Sequence, residues 1–301
     1  MSAPLRGIFA PVGTVFDPSG ELDLRVFAEN VVAYGATGLA GLVVLGSNGE
    51  FALLSGDEKL KLVEVARRHL PSGKPILAGT GCESLKETIA LTVRCADAGA
   101  AAALVVTPHY YKKDMTDAAL EGYYSRLADA SPIPVMLYNM PGNTGVNLSA
   151  SLTVKLAAHP NIVGIKDSGG NIVQIAEVLA GAPEGFSVFA GSGSFLLATL
   201  VLGGVGGTLA VANVVPDHCA RIQECFEQGD LDAARRLQLA LLPLNAAVTS
   251  RFGIGGMKAA MDLVGYQGGV PRPPILPASE AVRTEIARIL ERLGVKTVQR
   301  A

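Results

Sequence analysis

One lysine of this chain sits where an ammonium is hard to keep. Ten lysines occur, and nine lie in polar, helix-like or loop-like surroundings; Lys166 alone closes an apolar strand-like run, Ile162-Val163-Gly164-Ile165-Lys166. Burying an ammonium is costly unless it is paired or gives up its proton. Desolvation lowers the pKa of an amine, and the neutral amine is the nucleophile that condenses with a ketone to form a Schiff base. The competing reading is a strand-end lysine paired with Asp167 or reaching solvent. Tyr138 ends the preceding apolar run, and a phenol can shuttle a proton to a substrate oxygen or carbinolamine, as Schiff-base chemistry needs at several steps. Taken alone, it reads equally as a core tyrosine with a satisfied hydroxyl. Gly46-Ser47-Asn48-Gly49-Glu50 supplies successive backbone N–H groups in a Gly-bounded turn, which suits a carboxylate, although Gly-Ser-Asn-Gly is also an ordinary loop. Asn143 and Thr144, in the turn after Tyr138, would reach the same cavity. Tyr110 and Tyr111 form a surface aromatic pair, an oligomer contact, or both.

Other chemistries find little support. Cys82, Cys95, Cys219 and Cys225 are far apart without a C-x-x-C pair, and read as apolar thiols in a reducing compartment. The four histidines show no H-x-H or H-E-x-x-H spacing, so no metal site is expected. With 25 basic and 27 acidic residues the net charge is −2, which argues against a nucleic-acid partner. Met1 to Pro11 does not read as a signal peptide, and a cytoplasmic setting is expected. Phe195 to Val215 is uncharged and long enough to span a bilayer. Gly203, Gly204, Gly206 and Gly207 break it, so it reads better as a short buried helix, a turn and a buried strand.

These groups need a frame to bring them together. Eight short apolar runs recur, at 7–16, 39–47, 75–80, 102–108, 134–139, 162–168, 187–193 and 206–213. They are nearly continuous in Val, Ile, Leu and Ala, as parallel strands covered on both faces should be. Amphipathic stretches of helical length lie between them at 57–69, 85–98 and 149–158, the last with Ser149 as N-cap. The alternation matches a (β/α)8 TIM barrel over residues 1–216. An open doubly wound sheet is the runner-up, but no G-x-G-x-x-G turn follows the first strand. Residues 217–301 read as a C-terminal helical extension with helices at 218–227, 231–247, 256–264 and 279–293 and an extended Pro-rich link at 271–277. In such barrels chemistry sits at the C-terminal strand ends. Those ends offer Thr14, Ser47-Asn48, Thr80, Thr107 with Tyr110, Tyr138-Asn139, Lys166-Asp167-Ser168, Gly191-Ser192 and Asn213: hydroxyls and one lysine, with few carboxylates.

Four ordered motifs, GSNGE (46–50), TPHYY (107–111), YNMPGNTG (138–145) and GIKDS (164–168), resemble the landmarks of the pyruvate-dependent Schiff-base aldolases typified by dihydrodipicolinate synthase and N-acetylneuraminate lyase. The similarity runs from about Gly7 to beyond Gly265. It implies a (β/α)8 barrel with a helical extension, a homotetramer, and catalysis without a metal or organic cofactor. Carried onto this chain, it implies that Lys166 forms the imine with pyruvate and that Tyr138 relays protons. Ser47 would link that phenol to Tyr110, lent by a neighbouring subunit. The amides of Ser47 and Asn48 would hold the pyruvate carboxylate, and Ser168 and the backbone of Gly191 would line the substrate. Asn143 stands where the synthases usually carry an arginine that holds the second substrate's carboxylate, and losing a bidentate guanidinium is a large change at such a site. Together with GSNGEF, LAGTGCES (77–84), HPNIVGIKDSGG (159–170) and LNAAVTSRFGI (244–254), this resembles the 4-hydroxy-2-oxoglutarate aldolase branch. The expectation is a lyase that cleaves 4-hydroxy-2-oxoglutarate, or a similar 4-hydroxy-2-oxo acid, to pyruvate and an aldehyde. The alternatives are dihydrodipicolinate synthesis, a 2-keto-3-deoxy sugar-acid aldolase or dehydratase, and a non-catalytic 2-oxo-acid sensor.

Overall fold

The computed structural model describes residues 5–298. The first four residues of the stretch read for a leader and the last three of the helical extension therefore lie outside the described residues. All eight expected strands form: β1 (Gly7–Pro11), β2 (Gly41–Val44), β3 (Ile76–Gly79), β4 (Ala102–Val106), β5 (Val135–Asn139), β6 (Ile162–Asp167), β7 (Ser187–Ala190) and β8 (Gly206–Thr208). Each pairs in parallel with its neighbours, and β8 pairs with β1 to close the barrel. The closed ring excludes the doubly wound sheet.

The strands read as unbroken apolar runs because both faces are covered. Phe9, Val43, Leu77, Leu104, Met136 and Phe189 meet in one buried cluster inside the ring. Their neighbours Ile8, Ala10, Leu42, Val44, Ile76 and Ala78 face a second cluster under the helices. At about 1.5–3 kcal/mol per buried large apolar side chain, this double burial drives closure. Where β8 meets β1 only glycine fits, since a Cβ on Gly206 would lie 2.1 Å from the Gly7 carbonyl oxygen.

The first eight helices are α1 (Leu24–Gly35), α2 (Gly56–His69), α3 (Leu85–Asp97), α4 (Asp117–Ala130), α5 (Pro141–Thr144), α6 (Ala150–Ala157), α7 (Ile172–Gly181) and α8 (Leu196–Val201). The three expected interstrand helices appear as α2, α3 and α6. Ser149 caps α6 by accepting from the Leu152 N–H, and Ser55 and Glu58 form a capping box on α2. Helices α1, α4 and α7 were not anticipated, although each carries a polar N-cap, Asp23, Thr116 and Asn171.

The long uncharged segment resolves into α8, a glycine turn and β8, and no described helix is long and apolar enough to cross a membrane. The strand expected over 206–213 stops at Thr208. Ala210–Asn213 tighten into a 3-10 turn because the Asn213 amide donates to the Pro11 and Ala210 carbonyls (3.0 and 3.1 Å).

Four helices follow: α9 (Pro216–Glu227), α10 (Leu231–Ala246), α11 (Gly253–Leu263) and α12 (Glu280–Arg292). Helix α9 packs on β1, so the boundary read at 216 falls at the start of the eighth barrel helix. A wide turn over Ala247–Arg251 joins α10 to α11, which begins three residues before the expected Gly256. The Pro-rich link is not continuously extended: it turns at Pro273-Pro274, where the Ile275 N–H bonds the Arg272 carbonyl at 3.1 Å.

Candidate active site

Strand alternation decides which side chains enter the barrel. Ile165 belongs to the cluster under the helices, so Lys166 beside it points inward, and Tyr138 lies with the inner cluster. The β5–β6 register sets the two directly opposite each other. The Lys166 Nζ lies 4.0 Å from the centre of the Tyr138 ring, and both residues are buried, at 3% and 4% exposure. Asp167, the rival partner for Lys166, points the other way. Its carboxylate accepts from the Asn139 amide (2.8 Å), the Gly169 N–H (2.8 Å) and the Gln174 amide (3.2 Å). Among the described residues no carboxylate pairs with Lys166.

This geometry sets the proton affinity of the phenol. Burial pushes the Tyr138 hydroxyl up, but the Lys166 charge and hydrogen bonds from Ser47, Lys166 and Ser168 outweigh it and hold its pKa below the ordinary tyrosine value. The Ser47 hydroxyl stands 3.3 Å from the phenol oxygen. Below it lies an apolar cavity of about 10 Å³, bordered by Leu45, Phe51, Leu104 and Val106, with room for roughly one water-sized atom. An apolar wall of this kind strengthens the charge interactions next to it.

Ser47 and Asn48 open a 3-10 turn, Ser47–Gly49, so their own N–H groups have no intrahelical acceptor. These are the donors expected for a carboxylate. The turn is strained at both edges: Leu45 (φ 64°) and Glu50 (φ 55°) are the two non-glycine residues with left-handed backbone among the described residues. Such a conformation costs on the order of 1–3 kcal/mol and persists only where the surroundings enforce it. The Asn48 side-chain amide donates to the Met257 sulfur at 3.3 Å, which ties the turn to α11.

Ser168 and Gly191 meet across the ends of β6 and β7. The Gly191 N–H donates to the Asp167 carbonyl at 2.6 Å, and the Ser168 hydroxyl lies 3.4 Å from the Gly191 carbonyl. A Cβ at 191 would sit 1.9 Å from the Ser168 Oγ, so this close approach requires glycine. Helix α10 holds the following loop: the Asn245 amide donates to Ser194 (2.7 Å) and Ser192 (3.2 Å), and the Gln238 amide donates to the Gly193 carbonyl (2.6 Å).

Lys166, Tyr138, Ser47, Asn48, Ser168 and Gly191 thus share the C-terminal mouth of the barrel. Asn143 lies exposed in α5 with its side chain unpaired among the described residues. Tyr110 is not brought to Ser47 or Tyr138 within one chain. It is 76% exposed, edge-on to Tyr111 at 5.1 Å, and its turn is held by Glu83, which accepts from the His109 and Tyr110 N–H groups (3.0 Å each). Three other strand-end polar residues make structural hydrogen bonds. Thr14 donates to the Gly49 carbonyl at 2.6 Å, Thr80 accepts from Thr92 at 2.8 Å, and Asn213 ties β1 to the end of β8. Among the described residues no group of three or more His, Cys, Asp or Glu is placed to hold a metal ion.

Two buried residues beside the Ser47–Asn48 turn lie outside the reading of the sequence. Glu50 reads only as the end of the GSNGE motif, and Lys258 as one of the nine lysines in polar surroundings. Lys258 is 1% exposed and pairs with Glu50 at 2.6 Å. The available signal was the apolar α11 sequence around it, GIGGMKAAMDL, which gives a lysine no exposed face to occupy.

Residues 4–293 match the profile described as the Dihydrodipicolinate synthetase family. The L-threo-3-deoxy-hexylosonate aldolase of Hypocrea jecorina is 38% identical over 289 residues, covering 91% of each chain. A protein of Emericella nidulans named "Probable 4-hydroxy-2-oxoglutarate aldolase, mitochondrial" is 35% identical over 91% of this chain and 90% of its own. Among solved structures, the dihydrodipicolinate synthase of Thermotoga maritima superposes with a TM-score of 0.92 at 30% identity, covering 97% of this chain and 99% of the other.

Proposed function

The chain belongs to the dihydrodipicolinate synthetase family and is a pyruvate-dependent lyase, and from that premise we propose that it is a class I aldolase acting on 4-hydroxy-2-oxoglutarate or a similar 4-hydroxy-2-oxo acid. The observation that carries the reading is Lys166, buried 4.0 Å above the Tyr138 ring and without a carboxylate to fix its proton.

The neutral Nζ of Lys166 adds to the C2 carbonyl carbon, Tyr138 protonates the resulting oxygen, and water leaves to give a cationic imine. The Tyr138 phenolate then takes the proton of the C4 hydroxyl. As the aldehyde carbonyl forms, the electron pair of the C3–C4 bond moves into the imine and leaves an enamine. From 4-hydroxy-2-oxoglutarate, atom balance makes the departing aldehyde glyoxylate. Tyr138 returns its proton to C3, and water hydrolyses the imine, freeing pyruvate and Lys166. A phenol held below its ordinary pKa suits a group that must both accept and return a proton. The free N–H groups of Ser47 and Asn48 hold the substrate's C1 carboxylate, while Ser168 and the Gly191 backbone line the remainder. The imine is the electron sink, so no metal or organic cofactor enters the scheme.

Cleavage is favoured over condensation with aspartate semialdehyde because the turn after Tyr138 offers the neutral Asn143 rather than a guanidinium. The 38% identical hexylosonate aldolase supports a second substrate class, a longer polyhydroxy 2-oxo acid. The same reading has Tyr110 lent across an interface of a cytoplasmic homotetramer, its exposed ring being free for a neighbour. The test is pyruvate release from 4-hydroxy-2-oxoglutarate, coupled to lactate dehydrogenase. Release is expected from the parent protein and not from Lys166→Ala. No release from the parent refutes this substrate, and condensation of pyruvate with aspartate semialdehyde then tests the synthase alternative.

A further inference from the structure

The loop that presents Ser47 and Asn48 is fastened from outside the barrel. Glu50, at its strained far edge, has a side chain with no exposure; its Oε1 lies 2.6 Å from the Lys258 Nζ of α11 and its Oε2 accepts the Arg272 N–H at 2.7 Å. Lys258 also donates to the Val270 carbonyl at 2.8 Å and stands 4.8 Å from the centre of the Phe16 ring. The Arg272 guanidinium packs 4.2 Å over the same ring and donates to the Leu53 carbonyl at 2.8 Å, three residues beyond Glu50. A buried ion pair is weak support for stability as such, because desolvation offsets most of its attraction. Its position is informative: it anchors the far edge of the one segment flanked, among the described residues, by left-handed non-glycine residues, whose leading N–H groups have no acceptor within the turn.

We propose that Glu50 and Lys258 are positioning residues, an ion pair by which the helical extension holds the Ser47–Asn48 N–H groups in the geometry that captures the 2-oxo acid carboxylate. The pair touches neither substrate nor Lys166 and acts through the loop. This inference rests on the imine reading of Lys166.

The test uses the full chain, Glu50→Gln, Lys258→Met and borohydride trapping of the pyruvate imine at Lys166, followed by mass spectrometry across a pyruvate titration. Glu50→Gln is nearly isosteric, but its amide nitrogen must face one of two donors, so the loop loses its fastening while the core keeps its volume. It serves alone if Lys258→Met does not fold. The expected result is a half-saturating pyruvate concentration raised about 10- to 100-fold, the worth of hydrogen bonds to a charged group. The trapping rate at saturating pyruvate stays near that of the parent. A purely structural role would lower the melting temperature without moving half-saturation, and that outcome overturns the proposal. So does a fall in saturating rate at unchanged half-saturation, which places the effect on Lys166. If the parent itself forms no pyruvate adduct, the imine reading fails and this inference with it.

Discussion

Replacing Lys166 by methionine keeps most of the side-chain volume and removes the charge beside Tyr138. A unit charge about 4 Å away, at an effective dielectric near 20, is worth about 4 kcal/mol, enough to matter to the proton affinity of the phenol. Burial acts on the phenol in the opposite direction, and the Lys166 charge with three hydrogen bonds outweighs it. With the charge gone, burial dominates, and Tyr138 should join the tyrosines whose pKa is raised: Tyr34, Tyr123 and Tyr124, and Tyr266 at about 12. The assay is tyrosinate absorbance near 295 nm as the folded protein is titrated toward pH 10. The parent should show more tyrosinate than Lys166→Met at pH 10. Equal tyrosinate counts would refute the electrostatic coupling that the proton relay depends on, whatever the variant's activity.

Tyr138→Phe should lower turnover about 10²- to 10⁴-fold, the usual worth of a positioned proton donor and acceptor, while pyruvate can still be trapped on Lys166 by borohydride; loss of the adduct would give Tyr138 a different role. Gly191→Ala should destabilise the fold by about 1–3 kcal/mol and disturb Ser168, because its Cβ would lie 1.9 Å from the Ser168 Oγ and 2.6 Å from the Asp167 carbonyl oxygen; an unchanged melting temperature contradicts the packing described. The hydrogen bond from Arg272 holds the Glu58 carboxyl down from 4.5 to about 2, against burial, which opposes it. Since the folded pKa is the lower one, this stability is fully present above the unfolded value and drains away as pH falls from 4.5 toward 2. After discounting for solvent screening it amounts to about 1–2 kcal/mol, so Glu58→Gln should lower the melting temperature at pH 7 and flatten its decline between pH 5 and pH 3.

The barrel was legible because two-sided burial writes itself as apolar runs, and β1 to β8 carry that pattern directly. Lys166 and Tyr138 were legible for the opposite reason, as polar groups interrupting it. Helices α1, α4 and α7 are marked in the sequence by their caps at Asp23, Thr116 and Asn171, which apolar spacing does not register. The Glu50–Lys258 pair lay out of reach for a physical reason. Its members are 208 positions apart, and nothing local to either reports a partner brought by tertiary folding. The turn at Pro273-Pro274 was likewise hidden, because a proline run suggests extension until a neighbour such as Glu50 captures the chain at Arg272.

The grip of α10 on the loop after β7 also bears on when in its synthesis the protein becomes active. Gln238 and Asn245 hold Gly193, Ser192 and Ser194 from a helix made after every strand is complete, and Arg272 reaches Glu50 later still. A ribosome that has released the chain only as far as β8 has exposed Lys166 and Tyr138 but none of these clamps. Lys166 is therefore translated well before the parts that organise the mouth around it. The contacts that fasten the mouth thus form as a late step, coupled to emergence of the final quarter of the chain.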